Sequence, residues 1–271
     1  ETCTRICDRF GKTRLVEDLA AEDFEGLRAA LAKRGYRPAP IAFGTNTDPW
    51  QPIERTWRIT RACLEVLESC RHPLTITTKS DRVVRDMDIL ERMAALLERE
   101  GMRNVVETGA RYLLDPWTKH EPTLVSADRA GRARRIEFLK LAIDAAQRLG
   151  SDCVSLWSGQ VRDGASEAEA WSRLVGGLHE VVGYAAAQGV LVGFEPEPGM
   201  LVDTMERLAR LDHEVASESF RVTLDVGHLH CQGETPLGDH VRRWSHRLVN
   251  VHLEDMIAGV HEHLMFGDGE I

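Results

Sequence analysis

From about residue 40 onward, short apolar runs alternate with longer stretches of helical periodicity. The runs are Ile41-Ala42-Phe43, Leu74-Thr75-Ile76-Thr77, Asn104-Val105-Val106, Cys153-Val154-Ser155-Leu156, Val190-Leu191-Val192-Gly193-Phe194, Arg221-Val222-Thr223-Leu224 and Leu248-Val249-Asn250-Val251. Each is short and most are β-branched, the pattern of strands buried on both faces of a parallel sheet. Between them, Ile136, Leu139, Ile143, Ala146 and Leu149 fall on one helical face, and Gly150 stands where a C-cap glycine belongs. Ser166 and Glu169 have capping-box spacing ahead of Trp171, Leu174, Leu178, Val181, Val182 and Ala185, and Gly189 closes that face. Seven strand–helix units in a row predict an α/β architecture, best matched at this length by a (β/α) TIM-type barrel. A doubly wound sheet is the runner-up, but no G-x-G-x-x-G follows a strand. Asp18 to Lys33 reads as an isolated amphipathic helix through Phe24, Leu27 and Leu31. The expected division is therefore an N-terminal helical segment over 1–35 and a barrel over 36–271.

Composition narrows the setting. With 43 acidic against 34 basic side chains and a net charge of −9, a nucleic-acid polyanion is disfavoured as the main partner. Nowhere do about 18 consecutive apolar residues occur, so no membrane-spanning helix is expected. Arg5, Asp8, Arg9, Lys12 and Arg14 replace the apolar core of a signal peptide. The cysteines, spread from Cys3 to Cys231, read as reduced intracellular thiols, and the expected location is cytoplasmic. Neither a nucleophile elbow nor a phosphate-cradling P-loop motif is present.

Three strands end in an ionisable side chain: Phe194-Glu195, Leu224-Asp225 and Val251-His252, spaced 30 and 27 residues apart. In a parallel barrel that spacing places all three on the C-terminal rim of adjacent strands. Two carboxylates and an imidazole suit a borderline divalent cation such as Mn²⁺, Co²⁺ or Zn²⁺. His228 follows Asp225 by three residues and reaches the same mouth if Gly227 lets the loop turn back. His261 and His263 project in one direction if their segment is extended.

These motifs together resemble the xylose isomerase-like TIM-barrel superfamily, which includes sugar and sugar-phosphate isomerases and epimerases and the endonuclease IV type of AP endonuclease. The resemblance runs from about Gly101 to the end. It rests on Phe194-Glu195-Pro196-Glu197-Pro198-Gly199, Leu224-Asp225-Val226-Gly227-His228, Val251-His252-Leu253-Glu254-Asp255 and His263-Leu264-Met265-Phe266-Gly267-Asp268-Gly269-Glu270. It implies Glu195, Asp225 and His252 as ligands of a divalent metal (Mn, Co, Zn or Mg), with Glu195 also moving the proton. It implies His228 as a substrate or ligand-supporting group, His263 near the substrate and Glu197 as a weaker candidate. Glu107 and Arg111, in Val105-Val106-Glu107-Thr108-Gly109-Ala110-Arg111, become substrate contacts. The implied activity is sugar isomerisation or epimerisation by proton transfer beside a carbonyl, on a small-molecule substrate.

The chain departs from that pattern in two places. The superfamily's fourth ligand, a glutamate on the last strand, has no counterpart before Ile271, and Glu270 is not the matching position. The expectation is then an incomplete barrel with three protein ligands at most, weak metal binding and homo-oligomerisation through open strand edges. Residues 35–95, through Gly44-Thr45-Asn46-Thr47-Asp48-Pro49-Trp50 and Thr77-Thr78-Lys79-Ser80, resemble a radical-SAM barrel of the spore photoproduct lyase type. Residues 1–34 weakly resemble a phage integrase, so the chain reads as a mosaic. Cys3 and Cys7 have the first spacing of a C-x₃-C-x₂-C cluster motif, but Phe10 stands at the third position. The alternatives are an AP-endonuclease-type phosphodiesterase, a radical-SAM relative lacking its cluster, and an inactive barrel scaffold.

Overall fold

The computed structural model describes residues 21–44, 48–109 and 111–271. Cys3 and Cys7, the stretch 12–20, the start of the expected Asp18–Lys33 helix and Thr45-Asn46-Thr47 lie outside the described residues. The chain divides into two compact units, Glu1–Met102 and Arg103–Ile271.

The first unit contains α1 (Ala21–Leu31), β1 (Ile41–Phe43), α2 (Glu54–Trp57), α3 (Ile59–Cys70), β2 (Leu74–Ile76) and α4 (Met87–Arg99). β1 and β2 pair in parallel with Ile41 opposite Leu74. Trp50, Leu64 and Ile89 form its core, and the Trp50 Nε1–H donates to the buried Asp86 carboxylate at 2.7 Å. Gly44 leaves β1 with φ of 88°, and a Cβ there would stand 1.8 Å from the Thr77 carbonyl oxygen. Only glycine fits.

The second unit is a parallel half-barrel. Its strands are β3 (Val106–Glu107), β4 (Val154–Leu156), β5 (Val192–Phe194), β6 (Phe220–Asp225) and β7 (Leu248–His252), adjacent in that order. The connecting helices are α5 (Arg129–Leu149), α6 (Glu167–Gln188), α7 (Met205–Val215), α8 (Val226–Cys231) and α9 (Leu237–Trp244). The helix signals act as read. Ser166 Oγ accepts from the Glu169 amide at 3.2 Å, and Gly150 and Gly189 end their helices at φ of 58° and 69°. Leu139, Ile143, Leu174, Leu178 and Val181 pack with Leu156, Val192 and Phe194 in one continuous core.

All seven apolar runs contain a strand: β1 pairs with β2 within the first unit, and β3 to β7 form the sheet of the second. The expected strand from Asn104 is shorter. Asn104 Nδ2 donates to the Leu149 carbonyl at 3.3 Å, and its own carbonyl accepts from the Asp152 amide at 3.0 Å. Arg103 binds Asp152 at 2.7 Å. These contacts hold residues 103–104 to the turn after α5, so the ladder begins at Val106.

An antiparallel hairpin that the periodicity did not reveal follows β7. It consists of β8 (Asp255–Ile257) and β9 (Val260–Leu264), joined through Gly259 at φ of 74°.

Candidate metal centre

Strand alternation builds the centre. Val154, Leu156, Val192, Phe194, Val222 and Leu224 belong to the core beneath the helices. The alternate residues Ser155, Gly193 and Thr223 therefore turn to the inner face. There the Ser155 and Thr223 hydroxyls meet at 3.1 Å, and a Cβ on Gly193 would stand 2.5 Å from Thr223 Oγ1. Two residues further along each strand, the same parity turns Glu195 and Asp225 inward at the C-terminal ends. On β7 the register shifts by one residue after Val222↔Leu248, so that Asp225 faces His252 rather than Val251.

The three side chains meet. His252 Nδ1 lies 3.0 Å from Glu195 Oε1 and 3.6 Å from Asp225 Oδ2, with Glu195 and Asp225 6% and 5% exposed. Its Nε2 lies 3.1 Å from Glu107 Oε1, which also accepts from Asn250 Nδ2 at 3.0 Å. Hydrogen bonds to Asp225, Glu107 and Glu195 push the His252 imidazole up to about 12. Burial raises the Glu195 carboxyl. Burial opposes ionisation of Asp225 as well, but the His252 hydrogen bond prevails and holds it low.

A proton on His252 thus stands among three carboxylates, in the position that suits a cation. Glu195, Asp225 and His252 present ligand atoms within 4.8 Å of one another. Beside them two buried polar atoms, His228 Nε2 and Glu254 Oε1, have no hydrogen-bond partner and lie 3.8 Å apart. Oxygen and imidazole donors with spare lone pairs fit a divalent cation.

Asp225 also caps α8. Its Oδ1 accepts from the His228 amide at 3.0 Å, which turns the chain back and brings His228 Nδ1 to 3.5 Å from Glu195 Oε1. Gly227 serves close approach rather than loop flexibility, because a Cβ there would meet Glu254 Oε1 at 2.7 Å. His228 Nδ1 lies 3.1 Å from the Pro196 carbonyl. A carbonyl only accepts, so Nδ1 carries the proton and Nε2 is the free acceptor. Burial pushes His228 down to about 4, so the ring is neutral at neutral pH.

The turn Pro196-Glu197-Pro198-Gly199, with Gly199 at φ of 81°, folds Glu197 back to 3.9 Å from His228 Nε2 and 3.7 Å from His261 Nε2. Burial, then the charges of Glu195 and Asp225, pushes its carboxyl up to about 8. His261 and His263 do share a face of β9, with ring centroids 5.0 and 6.1 Å from His228. His263 Nδ1 bonds Glu254. Arg111 is exposed, and its charge is felt at His120. Glu254 was quoted in a motif without a role. Its place two residues after His252, the same strand parity, was the signal for it.

Asp255 anchors the hairpin that carries His261 and His263. Its carboxylate accepts from the amides of Gly267 at 2.8 Å, Gly269 at 3.1 Å and Ile271 at 3.0 Å. These amides hold its carboxyl below the usual range. The stabilisation is therefore complete above the unfolded pKa of about 3.9 and is lost as pH falls through the lower folded value. In an acid titration the Gly267 and Gly269 amide resonances are expected to move with a midpoint below about 3.9. With Asp255→Asn that titration should vanish. A midpoint at or above the unfolded value contradicts the anchoring role.

The family model of the xylose isomerase-like TIM barrel matches residues 74–271. The chain belongs to that family. The match reaches back to Leu74, into the stretch that resembles a radical-SAM barrel. L-ribulose-5-phosphate 3-epimerase UlaE of Shigella flexneri is 27% identical over 168 residues, covering 62% of this chain and 59% of its own length. The uncharacterized protein MJ1311 of Methanocaldococcus jannaschii is 25% identical over 195 residues, 64% of either chain. The chain thus spans 64% and 59% of the length of these relatives. Among solved structures, a D-tagatose 3-epimerase-like protein aligns with a TM-score of 0.58 at 22% identity, over 71% of this chain and 69% of that one. An L-ribulose 3-epimerase aligns with a TM-score of 0.54 at 21% identity, over 67% and 59%. Likeness at these identities shows the fold. Among the described residues no helix is long and apolar enough to cross a membrane.

Proposed function

We propose that the protein is a divalent-metal-dependent sugar or sugar-phosphate epimerase or isomerase that moves the proton on the carbon beside a carbonyl, through an enediolate. The observation that carries this reading is the convergence of Glu195, Asp225 and His252 on the inner rim of a barrel of this family. Glu195, Asp225 and His252 would hold Mn²⁺, Co²⁺, Zn²⁺ or Mg²⁺. When bound, the cation supplies Lewis-acid stabilisation of the negative charge that develops on oxygen.

The chain's own residues divide the remaining work. Glu195, buried at the floor, is the carboxylate that takes and returns the proton. His228 presents Nε2 as an acceptor and orients a substrate hydroxyl. Glu197, protonated at neutral pH, donates from beside His228. Glu107, Arg111 and His263 line the approach and contact the substrate. The epimerase named among the relatives supports the epimerase reading.

The test is deuterium incorporation beside the carbonyl of a ketose incubated in D₂O with Mn²⁺ or Co²⁺. Wild type should exchange and epimerise. His228→Ala should retain the metal and lose about 100-fold in turnover, the cost of a misplaced substrate. Absence of exchange with every metal would sink the reading. Loss of metal in His228→Ala would make His228 a ligand instead.

A further inference from the structure

Four cations gather around His120, on the segment between β3 and α5. Burial first, then the charges of Lys119, Arg135, Arg111 and Arg162, push its imidazole down to about 4. The ring packs edge-on against Trp157 with centroids 4.9 Å apart, and its Nδ1 is buried without a hydrogen-bond partner. Arg135 projects from α5 and is 2% exposed. Its guanidinium lies 4.7 Å from the Trp157 ring and 5.2 Å from the Phe138 ring, and donates to the Thr108 carbonyl at 3.4 Å. Of the four cations, among the described residues, only Arg162 forms an ion pair, with Glu121 at 3.4 Å.

This is unusual in a chain where 43 acidic side chains outnumber 34 basic ones. A buried guanidinium normally comes with a carboxylate, because an uncompensated charge away from water is costly. Here it contacts ring faces and a carbonyl, while the charge of Glu121, which is paired with Arg162, acts on it without a direct ion pair. Thr108 directly follows β3 and Trp157 directly follows β4, so the cluster stands on the same C-terminal rim as Glu195, at the neighbouring strands. Glu107, whose Oε1 lies 3.1 Å from His252 Nε2, directly precedes Thr108, whose carbonyl accepts from Arg135, so the two groups adjoin. Cations in excess over carboxylates beside a site for a small molecule are the complement of an anion that the ligand brings.

We infer that Arg135, Arg111, Lys119, Arg162 and His120 receive an anionic substituent, phosphate or carboxylate, of the sugar processed at the metal centre, and so set its substrate class. This rests on the epimerase reading above. The metal end of the site handles the carbonyl and its neighbouring hydroxyl, and the cation cluster holds the charged end. Guanidinium groups suit either oxyanion through paired N–H donors.

Two measurements test it. The first is binding of inorganic phosphate to the whole chain by calorimetry, in wild type and in Arg111→Met/Lys119→Met, both exposed positions. Binding should weaken about 10-fold or more for each lost charge-assisted contact. The second compares kcat/KM for a ketopentose 5-phosphate, a ketonic sugar acid and the neutral ketopentose. Wild type should favour a charged substrate, and the double variant should lose about 100-fold of that preference. Preference for the phosphate or for the acid identifies which anion the cluster receives. Phosphate binding lost in the variant, with no sugar turned over, upholds the anion site while the epimerase reading fails. Turnover of the neutral sugar with no preference for charge, or phosphate binding unchanged by the variant, overturns the anion site and leaves the epimerase reading intact.

Discussion

Asp225→Asn and His252→Ala are each expected to lower affinity for Mn²⁺ or Zn²⁺ about 10-fold or more, since even loss of a group that only orients a ligand costs that much. The asparagine isolates the charge. Its side-chain oxygen can still accept from the His228 amide, as Asp225 Oδ1 does at 3.0 Å, so α8 keeps its cap while the anionic donor is lost. His252→Ala removes the imidazole that stands 3.0 Å from Glu195 and 3.6 Å from Asp225. Metal content after equilibrium dialysis checks both. Content equal to wild type in the two variants would show that Glu195, Asp225 and His252 do not share an ion.

Phe194→Ala is expected to cost about 3–5 kcal/mol of unfolding free energy. Phe194 is fully buried, and its ring meets Phe220 on the adjacent strand with centroids 5.6 Å apart and planes tilted by 39°. Truncation removes an aromatic pair and leaves a cavity that close-packed α5 and α6 side chains do not readily fill. A stability of about 5–15 kcal/mol is typical of a domain, so the loss is a large part of the total. Glu195 follows directly in sequence, so the site should loosen with the core. Urea denaturation measures the change, and Phe194→Leu, which preserves most of the volume, should cost less than about 1.5 kcal/mol. Equal midpoints for wild type and Phe194→Ala would show that this strand does not support the rim.

Local pattern alone was enough for the strands, the long helices and the placing of Glu195, Asp225 and His252 at adjacent strand ends. Each apolar run carries its own length and branching, each cap is a contact within four residues, and spacings of 30 and 27 residues repeat one strand–helix unit. Alternation also determined which residues face inward, so Glu254 was legible from His252 by the same parity. Contacts between distant residues decided the rest. The one-residue shift in β7 that sets His252 opposite Asp225 depends on the partner strand, not on the run itself. Gly227 is required because Glu254 approaches it across the fold, and Asp255 matters because three amides from 267–271 converge on it. The meeting of Arg135 and of His120 with Trp157 follows from packing that no periodicity encodes. Periodicity specifies a face, whereas what meets that face is chosen by side chains far away in the chain.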